Sequence, residues 1–166
     1  MDIKRIIEHL FFTDWQTHRA FSKESLRAIE KAIHESEQLH GGEIRFAIEG
    51  SLDGFRLLKG QSSRERAIEV FSQLRVWDTE RNNGVLIYVL LADHAVEIVA
   101  DRGIHTKVGD ESWHSICQEM QSNFSKSQFE KGALTGIAAL AIAISNHFPS
   151  NETFVNDLSD TPVMLT

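Results

Sequence analysis

The chain has 166 residues, 42% hydrophobic and 25% charged, with a formal charge of −7 and a pI near 5.6. This is the size and composition of one soluble globular domain with a sizeable core. The acidic balance argues against nucleic acid and against an anionic membrane surface as partners, since both reward Lys and Arg.

In chain order, Asp2 to His18 predicts one or two short helical turns. Asp2, Lys4, Arg5, Glu8 and His9 interrupt the apolar residues there, so no secretory leader is expected. Ser22 between Phe21 and Leu26 is an N-cap with a hydrophobic staple. Leu26, Ile29 and Ile33 continue at helical spacing, and Gly41-Gly42 ends the helix. Ile44, Phe46 and Ile48 alternate with Arg45, Ala47 and Glu49, which predicts a strand. Gly50 to Gly60 is expected as a loop. Ser62 and Glu65 then form a capping box for a helix carrying Ala67, Val70, Phe71 and Leu74.

Asp78 to Gly84 is a polar connection. Val85–Leu91 is unbroken apolar sequence, as in a strand covered on both faces, and Ala95–Ala100 follows one tight turn later. Asp110 is the expected N-cap of a helix with the stripe Trp113, Ile116, Cys117, Met120 and Phe124. A last helix starts at Ser125 or Ser127 and is stopped by Pro149. Its Gly132 and Gly136 are expected to let it lie close to the sheet. Its apolar run Ala133–Ile144 is too short to cross a bilayer. The expected fold is α/β, a three-layer sandwich with a central mixed sheet, a hairpin and helices on both faces. One domain over residues 1–150, with its core at about 22–148, precedes a tail at 151–166.

Several motifs fail on inspection. In His34–Gln38, "HESEQ", Gln38 stands where a zinc protease has its second histidine. His34 is expected to pair with Glu30 on the helix surface. Gly60 to Arg64 has neither a phosphate-loop ending nor a nucleophile elbow. Cys117 and His114 are three apart, but Cys117 lies in the apolar stripe and is expected as a buried, inert thiol. As the one cysteine it excludes an internal disulfide, and a cytoplasmic location is the default expectation.

One constellation carries chemistry. In a hairpin the start of one strand lies beside the end of the next. Asp78, Glu80 and Asn82 should therefore meet Asp101, Arg102, His105, Asp110 and Glu111 at one edge of the sheet. Loops at strand ends are where α/β sheets place ligands. Asp78, Asn82, Asp101, His105 and Asp110 are the candidate ligands of a divalent cation, with Arg102, Glu80 and Glu111 in support. Oxygen donors suit Ca or Mg, and an imidazole shifts preference toward Mn or Zn.

The stretch "NNGVLIYVLLADHAVEIVADRGI", with "RVWDT" before it and "ESEQLHGGEIRFAIE" upstream, resembles the TPM domain. That name joins a thylakoid lumen protein, a photosystem-II-associated protein and a nematode receptor-associated protein. The resemblance covers about Leu26 to Phe148 and implies an α/β/α sandwich. It also implies a candidate function, since some members are acid phosphatases and others bind divalent cations. The family's Asp-Asn-Gly appears here as Asn82-Asn83-Gly84. Its Gly-x-Gly-x-Glu appears as Asp101 to His105, and a later acidic position is kept as Asp110. Two usual carboxylates are thus absent, which weakens a hard-cation site. The expected role is a binding or accessory module with a divalent-cation site at the strand-end loops. A weak metal-dependent phosphomonoesterase is the alternative, and a structural partner of a membrane assembly a third reading.

Overall fold

The computed structural model describes residues 3–150 and 156–166. Its first elements are α1 (Ile3–Leu10), α2 (Asp14–Ala20) and α3 (Lys23–Glu37), followed by β1 (Glu43–Glu49). Then come α4 (Gly54–Leu58), α5 (Ser63–Gln73), β2 (Gly84–Leu90) and β3 (Ala95–Ala100). The chain closes with α6 (Arg102–Val108), α7 (Asp110–Phe124), α8 (Phe129–Ser145) and β4 (Val163–Leu165).

The strands form one sheet in the order β3-β2-β1-β4. β1 runs parallel to β2 and β4, and β2 pairs antiparallel with β3. Strand periodicity divides the core. Ile44, Phe46, Ile48, Val85, Ile87, Val89, Val96 and Ile98 face one side and pack with residues of α3, α6, α7 and α8. Ala47, Leu86, Tyr88, Leu90 and Val99 face the other and pack with α4 and α5. This two-sided burial explains the continuous apolar run of β2, whose every residue is buried.

Local signals start α3 and α5 where expected. Ser22 Oγ accepts from the N–H of Ser25 (3.2 Å), and Ser62 with Glu65 forms the capping box. Six details differ from the sequence reading. The N-cap of α8 is Gln128, not Ser125 or Ser127, and residues 163–165 of the expected tail form β4. The Gly50–Gly60 segment contains α4, capped by Asp53. Asp101–Val108 is not an open loop, because Asp101 is the N-cap of α6. The cap of α7 is Gly109 at φ +83°, and Asp110 is the first helical residue. Gly132 and Gly136 serve helix contact: a Cβ would lie 2.6 Å from the Phe124 ring and 2.3 Å from Met120 Sδ, so α8 lies close to α7. No described helix is long and apolar enough to cross a membrane.

Candidate functional site

The hairpin brings Asn82–Gly84 against Asp101. Asp101 N–H donates to Gly84 O (2.9 Å), and Gly84 N–H donates to Asp101 Oδ2 (3.3 Å). Burial raises the Asp101 pKa, opposed by that N–H. Gly84 has no room for a side chain, since a Cβ would sit 1.9 Å from Val76 O. Asn82 adopts φ +50°, the left-handed conformation that Asn tolerates. Asn83 is buried, donating from Nδ2 to Gly41 O (2.5 Å) and accepting at its carbonyl from Glu43 N–H (3.0 Å). The asparagine that keeps the family pattern is thus a structural tie between β1 and β2.

One helical turn after Asp101, His105 Nε2 lies 3.5 Å from Asp110 Oδ1, and the Asp110 side chain is 92% exposed. Arg102 and Glu111 are exposed beside them. The other predicted members are arranged differently. Asp78 is exposed in the turn after α5, and the Glu80 N–H donates to Asp157 Oδ2 in the C-terminal segment (3.0 Å). The structure therefore pairs Asp101 with the Asn82–Gly84 turn, and His105 with Asp110. Among the described residues no group of three or more His, Cys, Asp or Glu side chains is arranged to hold a metal ion.

The opposite end of the sheet, at the carboxyl ends of β1 and β2, is covered by the N-terminal helices. Arg5 grips Asp93 with two hydrogen bonds (2.8 and 2.7 Å). His9 is buried; its Nδ1 accepts from Leu52 N–H (2.9 Å), so Nε2 carries the proton donated to Asp93 (2.8 Å). Burial works to raise the Asp93 pKa, but the hydrogen bonds from Arg5 and His9 and the charge of Arg5 outweigh it and lower the pKa.

Three polar arrangements lie outside the predicted set. Under β1, Arg66 Nε and Nη2 donate to the two oxygens of Glu49 (2.8 and 2.9 Å), and Tyr88 OH donates to Glu49 Oε2 (2.5 Å). Burial acts to lower the Arg66 pKa, but the contacts with Glu49 raise it overall. At the amino end of β1, Glu37 is buried; its Oε1 accepts from Ile44 N–H (2.6 Å) while Oε2 has no hydrogen-bond partner among the described residues. Burial pushes its pKa up to about 9, helped by the charges of Asp160 and Glu43. His40, fully buried, is pushed down to about 4 by burial. A signal for two of these exists in the sequence: Glu37 and Arg66 each stand four residues from an apolar core position, Ile33 and Val70, on the same helix face.

One pairing read from the sequence differs. His34 Nδ1 meets Asp160 Oδ2 (2.9 Å) instead of Glu30. His114 pairs with Gln118 (2.9 Å) and not with Cys117. Cys117 is buried as expected, and burial pushes its thiol up to about 12.

A mixed four-stranded sheet between helical layers, with an Asn-Gly turn tied to the end of β3, defines an α/β/α domain. Residues 16–143 match the TPM domain, and the chain belongs to that family. It is similar to the BA42 protein of the psychrophilic bacterium Bizionia argentinensis, known from an NMR structure. The two share 31% identity and a TM-score of 0.73, over 87% of this chain and 94% of that one. The N-terminal domain of a P. gingivalis protein shares the fold, at 14% identity and a TM-score of 0.63, over 80% of this chain and 82% of that one. No curated protein matches the chain.

Proposed function

We propose that this TPM-domain chain is a binding or accessory module that takes up a divalent cation weakly at the strand-end loops, through His105 and Asp110, with Asp101 at the cap one helical turn away. The observation that carries the reading is the approach of His105 to Asp110 (3.5 Å) one turn beyond the Asp101 cap. Asp110 is open to water, so a cation there keeps much of its hydration shell. That suits Mg, which dehydrates reluctantly and is commonly held by one or two carboxylates, and Mn, for which the imidazole adds preference. Asn82, Arg102 and Glu111 flank this group, and Asp78 and Glu80 lie on the connection before β2. The sparse protein ligand set supports binding over catalysis, since an activated water also needs a fixed coordination geometry.

The test is thermal unfolding of chelator-stripped protein with Ca, Mg, Mn or Zn. A ligand that binds only the folded state raises the melting temperature. The proposal expects a rise with Mg or Mn that Asp110→Ala and His105→Ala each remove. An unchanged melting temperature in all four metals would refute it. Metal-dependent release of phosphate from a phosphomonoester, lost in Asp110→Ala, would favour the phosphatase alternative.

A further inference from the structure

The outer edge of β1 is built to hold an extended segment. Its occupant in this structure is the chain's own residues 156–165. The Glu43 carboxylate, itself buried, accepts from the N–H of Asp157 (3.0 Å) and of Leu158 (2.6 Å). Arg45 Nη1 donates to the carbonyls of Ser159 and Thr161. Farther along, Ala47–Glu49 pair in parallel with Val163–Leu165. These contacts read backbone, as sheet edges do when they take an added strand.

Side chains fix the register and narrow the sequence that fits. His34 meets Asp160 (2.9 Å), and Thr161 Oγ1 donates to Glu30 Oε1 (2.5 Å). Leu158 and Leu165 pack on one core cluster and Met164 on the other.

The segment is lightly anchored. No residue from 156 to 166 is fully buried, and its strand spans three residues. Segments with few buried apolar contacts open at lower free energy than the core. With the segment in place, Glu43, Ala47 and Ile48 are at most 1% exposed. Once the segment leaves, Glu43 and the β1 edge lose their hydrogen-bond partners, a cost that any matching strand removes. The other sheet edge is obstructed, as Arg64 Nη1 donates to Ile98 O on β3 (2.5 Å).

We propose that the outer edge of β1, with Glu43 and Arg45, is a strand-accepting site that takes residues 156–165 of a second copy of this chain in exchange for its own. The second copy is the occupant because it alone is sure to carry the carboxylate for His34, the hydroxyl for Glu30 and the apolar side chains at their matching positions. Every contact of the closed monomer re-forms in the exchanged pair, which is why strand exchange is an inexpensive route to a dimer.

The test uses the full chain and a fluorescein-labelled peptide of residues 156–166. Asp160→Ala/Thr161→Ala weakens the chain's own segment while leaving the groove intact. This variant is expected to bind the wild-type peptide at least ~10-fold more tightly than the wild-type chain does. Adding Arg45→Ala should abolish that binding, and a scrambled peptide should not bind. No saturable binding by a variant with native circular dichroism, or equal binding of the scrambled peptide, would overturn the proposal. The second measurement needs no weakened segment: native mass spectrometry of mixed light and 15N-labelled wild-type chains at rising concentration. Mixed dimers that Arg45→Ala prevents are expected. Monomer throughout, or dimers indifferent to Arg45→Ala, would overturn it.

Discussion

Glu37→Gln should stabilise the protein increasingly as pH rises. Glu37 is 1% exposed at the end of α3, beside Asp160 and Glu43, and its carboxyl pKa rises from 4.5 to about 9. The folded state therefore holds a proton that the unfolded chain releases above its own pKa. Stability contributed by this group is fully present below pH 4.5 and is lost as pH rises toward 9. The loss runs at about 1.4 kcal/mol per pH unit. Glutamine keeps the acceptor for Ile44 N–H and never ionises. The stability of Glu37→Gln minus wild type, referred to its value at pH 4, should reach about 3 kcal/mol at pH 7 and about 5 at pH 9. His40 works in the opposite sense. Its pKa falls from 6.5 to about 4, so its contribution is lost as pH falls through that interval. The two slopes oppose each other between pH 4.5 and 6.5, and Glu37 dominates above it. Urea unfolding of both proteins from pH 4 to 9 measures the difference directly. A difference that is independent of pH, or that shrinks toward pH 9, would refute a proton held at Glu37.

Gly84→Ala should cost more than about 3 kcal/mol in urea unfolding, because the new Cβ meets Val76 O at 1.9 Å, a backbone atom with no rotamer to give. Arg66→Met should cost about 3–5 kcal/mol by leaving the buried Glu49 carboxylate unpaired, and Glu49→Met added to it should recover much of that loss. Cys117 should resist a thiol-reactive chromophore at pH 8 in the native protein and react at once in denaturant, since its thiol is pushed up to about 12.

What the sequence made legible follows from which interactions are local. Ser22 and Ser62 cap their helices within three residues, and the alternation at Ile44–Ile48 needs only a buried sheet face to have meaning. The hydrophobic run of β2 likewise announces cover on both faces. β4 escaped because its three half-buried residues carry no period, and its place is set by Glu43 and Arg45 more than a hundred residues earlier. α4 and α6 escaped for a related reason. Each is one or two turns long and starts at an Asp whose capping role looks the same as a loop aspartate in sequence.

The candidate site shows the same division. The hairpin pattern in the sequence placed Asp101 beside the start of β2 because register in a two-stranded ribbon is a local property. It also grouped Glu80 with Asp101, and here a contact distant in sequence intervened, since Asp157 takes the Glu80 N–H. The buried charges went unread because a carboxylate or guanidinium on an apolar helix or strand face looks like an exception until its partner is known. Glu37, Arg66 and Glu49 are such exceptions, and each lies on a face whose neighbours are core residues. A charged residue that continues an i, i+4 row of core positions, as Glu37 continues Ile29 and Ile33, therefore marks a buried polar contact more specifically than a cluster of carboxylates in a loop does. In this chain that pattern leads to the acidic pocket at the amino end of β1, where the C-terminal segment docks.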